Sequence, residues 1–151
     1  MIKIPRHIET LKPYIAGKMI EEFARERGLS RIVKLASNEN PLGSSPKAIE
    51  AVRQSLDKSF RYVDPGAYDL VHAIGAKYNK PASRIVCGAG TDALLSYIVK
   101  AFTDEGDEVL TADGTFIGIY VSVRKHNRKL VQVPLKDYGF DLEATAARIT
   151  D

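Results

Sequence analysis

The chain has 151 residues, 44% hydrophobic and 27% charged, a balance that fits a globular domain and excludes a disordered or fibrous chain. No apolar run approaches the roughly 18 residues that span a bilayer, and a single cysteine, Cys87, allows no internal disulfide. The net charge of +3 is uneven, with 12 Lys/Arg against 7 Asp/Glu as far as Tyr62 and 10 against 12 beyond it; no basic run exceeds two residues, which excludes a nucleic-acid footprint.

The start, Met1-Ile2-Lys3-Ile4-Pro5-Arg6-His7, lacks the apolar core of a signal peptide. With one cysteine, the expectation is a reducing compartment, by default the cytoplasm. Residues 1–16 have no steady period and contain Pro5 and Pro13, so they read as an irregular arm. Within it, Leu11-Lys12-Pro13-Tyr14 sets a phenol just after a proline bend. From Lys18 to Arg27 the apolar residues Met19, Ile20, Phe23 and Ala24 share a helical face, and Gly28 is the natural stop. Arg31-Ile32-Val33-Lys34-Leu35 reads as a short strand.

A long polar loop follows, Ala36-Ser37-Asn38-Glu39-Asn40-Pro41-Leu42-Gly43-Ser44-Ser45-Pro46, with turn formers throughout and many side-chain donors and acceptors. Ser45 is placed to cap a helix opening at Pro46, with Ala48, Ile49, Val52 and Leu56 as its apolar stripe to about Lys58. Arg61-Tyr62-Val63-Asp64-Pro65-Gly66 breaks the pattern. Leu70, Val71, Ile74 and Tyr78 then recur at helical spacing.

From Arg84 onward strand and helix alternate. The strands are Arg84–Cys87, Glu108–Ala112 and Lys129–Pro134. Between them lie helices over about 92–102, with Leu94, Leu95, Ile98, Val99 and Phe102 inward, and about 117–126; a last helix opens at Asp141 with Leu142, Ala146 and Ile149 inward. Such alternation predicts an α/β unit with a mostly parallel sheet and right-handed crossovers. In that fold another strand is due after the last helix, so the expectation is a domain cut short.

The stretch with the most chemical content is Ile85-Val86-Cys87-Gly88-Ala89-Gly90-Thr91-Asp92-Ala93. A strand ending in two glycines and opening a helix presents unsatisfied N–H groups and partial positive charge to an anion. Three readings stand on the residues alone. One is a dinucleotide fingerprint with Asp113, some 20 residues on, for the ribose. Another is a monophosphate cup using the Thr91 hydroxyl and the helix amides. The third is a structural turn. More than 80 residues precede the turn, which favours the cup over a nucleotide-binding unit. His7, His72 and His126 are scattered and Cys87 has no partner at ligand spacing, so no metal site is expected.

Leu35-Ala36-Ser37-Asn38-Glu39-Asn40-Pro41-Leu42-Gly43, Arg61-Tyr62-Val63-Asp64-Pro65, Gly88-Ala89-Gly90-Thr91-Asp92 and Gly114-Thr115-Phe116, taken in order with Leu11-Lys12-Pro13-Tyr14, resemble the N-terminal part of the histidinol-phosphate aminotransferase family. These are pyridoxal-phosphate enzymes of the aspartate-aminotransferase fold. The resemblance covers nearly the whole chain. It implies an N-terminal arm with part of a small domain and the substrate-entrance loop in residues 1–45, and the first half of the large cofactor domain in 46–151, truncated. It implies that Gly90, Thr91 and Asp92 hold the cofactor phosphate and that Phe116 stacks on its ring. Tyr62 corresponds to a residue that reaches the phosphate of a neighbouring subunit in a homodimer. Tyr14 and Asn38 fall on the substrate side.

Two departures from the family pattern are Gly114 and Val63, where proline is usual. The Schiff-base lysine, the partner of the pyridine nitrogen and the substrate-carboxylate arginine all belong further downstream in the family. No residue here takes a catalytic role, and the isolated chain is expected to be inactive. A threonine-phosphate decarboxylase or another aminotransferase on the same scaffold, a nicotinamide-binding domain and a non-catalytic aminotransferase-like module are the alternatives.

Overall fold

The structure is a computed structural model that describes residues 2–12 and 17–150. It divides into two compact units, one formed by Met1–Lys12 with Gly66–Asp151 and the other by Pro13–Pro65. Tyr14 lies outside the described residues.

The first unit is built round a β-α-β element. Strands β1 (Glu108–Ala112) and β2 (Lys129–Val133) run parallel in the register Glu108↔Lys129 to Ala112↔Val133, connected by helix α6 (Ile117–Lys125). The first register pair also carries an ion pair, and the Lys129 ammonium bonded to Glu108 holds that carboxyl below its usual range. Helix α5 (Gly90–Phe102) packs on α6, and the short helix α1 (Arg6–Glu9), within the stretch read as irregular, also meets α6. Val99 of α5, Val123 of α6 and Val133 of β2 are almost completely buried. Helix α4 (Tyr68–Tyr78) adds Val71 to the core. Helix α7 (Leu142–Ala146) packs on β1, capped by Asp141, whose Oδ1 accepts the Ala144 N–H at 2.9 Å.

The second unit holds α2 (Ile20–Arg27), closed by Gly28 at φ 63°, and α3 (Pro46–Ser55), followed by a 3-10 turn over Leu56–Lys58. Pro46 opens α3 as expected, but Ser45 makes no side-chain cap. Every residue of α3 is exposed, including Ile49 and Val52.

Two of the expected strands are absent. Residues 31–35 and 84–87 join no ladder among the described residues; Arg84 closes a 3-10 turn over Ala82–Arg84 and Ile85 leaves it in an extended conformation. A strand is defined by its neighbour: without a paired backbone, β-prone residues are only extended chain. Val33 and Leu35 are consequently exposed. The same physics thins the apolar faces. In α5 Val99 is covered and Leu94 and Leu95 half-covered, whereas Ile98 and Phe102 are exposed; Leu70, Tyr78, Leu142 and Ile149 are exposed too. Helical periodicity marks the face able to bury, but burial occurs only where another element lies against it.

Candidate cofactor site

The glycine turn has a defined geometry. Gly90 N–H donates to the Gly88 carbonyl at 2.8 Å around Ala89 at φ −73° and ψ 69°, an inverse γ-turn. Gly90 then takes φ 79°, a left-handed conformation in which an L side chain is strained. Helix α5 begins there, and no side chain caps it. A Cβ added at Gly90 would find nothing within 4 Å, so the backbone is open to a ligand at the point where the helix N-terminus points. Because the Gly90 N–H is committed to the turn, Thr91 and Asp92 supply the amides of the first turn. Both residues are exposed. An open cradle with uncapped amides and a hydroxyl fits a phosphate monoester.

The second arm of the site leaves the end of β1. Asp113 N–H donates to the Val133 carbonyl at 2.7 Å, continuing the sheet edge into the turn. The Asp113 carboxylate accepts Gly114 N–H and Gln132 Nε2, each at 3.1 Å. Gly114, where the related family has proline, takes φ 79°, a conformation closed to proline. Tyr120, one turn into α6, bonds back across this loop: its hydroxyl donates to the Ala112 carbonyl at 2.9 Å and accepts the Thr115 N–H at 3.1 Å. Phe116 follows as the N-cap residue of α6, half-exposed.

The two arms meet at Gly118. A Cβ added there would overlap Phe116 Cε1 and lie 2.5 Å from Asp92 Oδ1. The structure thus brings Gly90, Thr91, Asp92 and Phe116 into one region of the first unit. Tyr62 and Asn38 belong to the other unit. Tyr62 is fully exposed. Asn38 is also exposed, at φ 51° in a turn after Ser37 at φ 71°. The loop beyond is tied by Asn40, whose Nδ2 donates to the Gly43 carbonyl at 3.0 Å and whose Oδ1 accepts the Leu42 N–H at 3.1 Å. Lys34 and Glu39 form an ion pair across its start.

Sequence reasoning passed over Tyr120 and Gly118. Tyr120 carried the signal of a phenol four residues after the aromatic, but its partners are backbone groups that no pattern reveals. Gly118 was hidden as a helix-interior glycine.

His126 is half-buried, and its Nε2 lies 2.8 Å from Ser96 Oγ of α5. Partial burial pushes its pKa down, and Lys125, Arg128 and Lys100 add to the effect. Cys87 is half-buried.

Residues 30–151 match the family model for aminotransferase class I and II. The chain belongs to this family. That membership sets aside the dinucleotide reading of the glycine turn. Among curated relatives, the chain is 42% identical over 142 residues to the histidinol-phosphate aminotransferase of Anaeromyxobacter sp. strain Fw109-5, covering 93% of this chain and 39% of that protein. It is 39% identical over 143 residues to that of Moorella thermoacetica, covering 95% and 37%. A solved histidinol-phosphate aminotransferase from Sinorhizobium meliloti, in complex with pyridoxal 5'-phosphate, superposes with a TM-score of 0.84 at 28% identity, covering 97% of this chain and 39% of that one. An aspartate aminotransferase mutant from Thermus thermophilus, at 22% identity and TM-score 0.77, shares the fold. This aminotransferase chain therefore spans about 39% of the length of such relatives. No helix among the described residues is long and apolar enough to cross a membrane.

Proposed function

We propose that this chain is the N-terminal, phosphate-holding part of a pyridoxal-phosphate-dependent histidinol-phosphate aminotransferase, with residues 1–45 as arm and entrance loop and 46–151 as the first part of the cofactor domain. The reaction of the whole enzyme converts imidazole-acetol phosphate and glutamate to histidinol phosphate and 2-oxoglutarate, in cytoplasmic histidine biosynthesis. The observation that carries this reading is the open, uncapped start of α5 with Asp92 and Phe116 gathered at Gly118. The similarity to named relatives supports the choice of substrate.

In this reading the Thr91 and Asp92 amides and the Thr91 hydroxyl bind the cofactor phosphate, and Gly90 supplies the backbone conformation that aims them. Phe116 lies on the cofactor ring, fixing its tilt and excluding water from one face. Bound pyridoxal phosphate supplies an electron sink for charge developing on the substrate carbon. Tyr62 donates its hydroxyl to the phosphate bound by a partner subunit in a homodimer, and the family resemblance assigns Tyr14 and Asn38 to substrate binding.

Absorbance titration of the full chain with pyridoxal 5'-phosphate and with unphosphorylated pyridoxal tests the cup. Thr91→Val weakens the phosphorylated compound about ten-fold and leaves pyridoxal unchanged; an equal effect on both overturns the assignment. Sedimentation tests the shared site. A monomer that takes up the cofactor with full affinity contradicts the role given to Tyr62.

A further inference from the structure

Helix α6 carries Gly118 in its first turn, where glycine is a poor helix former and alanine would be preferred. The cost has a local counterpart. The volume that an alanine methyl would fill is already taken by the edge of the Phe116 ring and by Asp92 Oδ1. Phe116 Cδ1 is also close, at 3.0 Å from the same point. The two occupants arrive from different elements, one from the turn after β1 and the other from the first turn of α5. They are also the two side chains that flank the cup and the ring position.

We infer that Gly118 is a positioning residue for the cofactor: the space above its Cα holds the Phe116 ring in register with the phosphate cup at Asp92. This rests on the reading of the site in the preceding subsection. A side chain at Gly118 pushes the ring and the carboxylate apart, and because the carboxylate belongs to the first turn of α5, the displacement reaches the amides of that turn. A glycine kept only for helix packing would produce a different pattern, with stability altered and the ring and the cup undisturbed.

Two readouts separate these roles. The first needs no cofactor. The chain has five phenylalanines, so fluorine-labelled phenylalanine gives a short spectrum in which Phe116→Leu assigns one resonance. Gly118→Ala is expected to shift that resonance and leave the other four in place. The second is titration with pyridoxal 5'-phosphate, in which Gly118→Ala is expected to weaken binding about ten-fold. In the Phe116→Leu background the ring carbon that meets the new methyl is gone and only the contact with Asp92 Oδ1 remains, so adding Gly118→Ala is expected to cost clearly less than it does alone, about three-fold.

An unmoved Phe116 resonance, or wild-type affinity in Gly118→Ala, overturns the inference. If Gly118→Ala alone does not fold, the Phe116→Leu background decides, and a further ten-fold loss there overturns it. Uptake of pyridoxal 5'-phosphate by the unaltered chain with no preference over unphosphorylated pyridoxal overturns the site reading instead, while the fluorine resonance still decides whether Gly118 holds the ring.

Discussion

The Tyr120 hydroxyl donates to the Ala112 carbonyl at 2.9 Å, joining the first turns of α6 to the last residue of β1. The same oxygen accepts the Thr115 N–H, so one phenol closes the loop that presents Phe116. Tyr120→Phe removes both bonds and leaves two part-buried backbone groups without their partner, a loss of about 1–3 kcal/mol. Urea denaturation reads that loss. Cofactor affinity is expected to fall with it, because Phe116 is the next residue along the loosened loop.

Arg128 closes the opposite end of α5. Its Nε donates to Thr103 Oγ1 at 2.8 Å, one terminal nitrogen donates to the Thr103 carbonyl at 2.7 Å and the other to the His126 carbonyl at 2.7 Å. Thr103 Oγ1 in turn donates to the Val99 carbonyl at 2.6 Å, beside the core. Arg128→Met is expected to cost about 2–3 kcal/mol by denaturation. Arg128→Lys recovers less than half, because an ammonium cannot reproduce the planar fork.

His126 sets a pH dependence. Burial first, then Lys125, Arg128 and Lys100, hold its folded pKa below the ordinary 6.5. The folded state therefore favours the neutral ring. Stability from this group is complete above pH 6.5, declines as the pH falls towards the folded value and is flat below it. His126→Gln is expected to remove this segment of the stability–pH curve. At Glu108, depressed chiefly by its bond to Lys129, the loss comes lower, as the pH falls from 4.5 through the folded value, and Glu108→Gln removes that one.

Two glycines separate conformational strain from crowding. At Gly90 an added Cβ meets nothing, but φ is 79°, so Gly90→Ala costs about 1–2 kcal/mol and Gly90→Asn less. Gly75 is buried in α4, and a Cβ there would lie 2.8 Å from the Lys80 carbonyl oxygen. Gly75→Ala is expected to cost about 1–3 kcal/mol although alanine is the better helix former. Thermal unfolding of the three variants orders them.

Where a residue's structure depends on its chain neighbours, the sequence was readable. Pro46 and Gly28 bound their helices where expected, and β1 covers Glu108–Ala112 as read. The turn from Gly88 into the start of α5 was legible for the same reason, because its bonds are local. Val33 and Val86 were misread because pairing is decided by a distant strand, which no local pattern contains. Gly118 was unreadable for a related reason: its meaning lies in Asp92, 26 residues earlier in the chain.

The parallel register of β1 and β2 sets the order in which this chain exchanges its amide protons. Parallel neighbours cannot close through a tight hairpin, so every bond between them waits on the helix that joins them. The ladder and the α6 backbone therefore open together, and the amides of Val123 and Val133 are the last to pick up deuterium. In α3 all 10 residues face solvent, and its amides exchange early. A deuterium time course is thus expected to draw a boundary inside the chain, between the late-exchanging ladder and the early-exchanging α3.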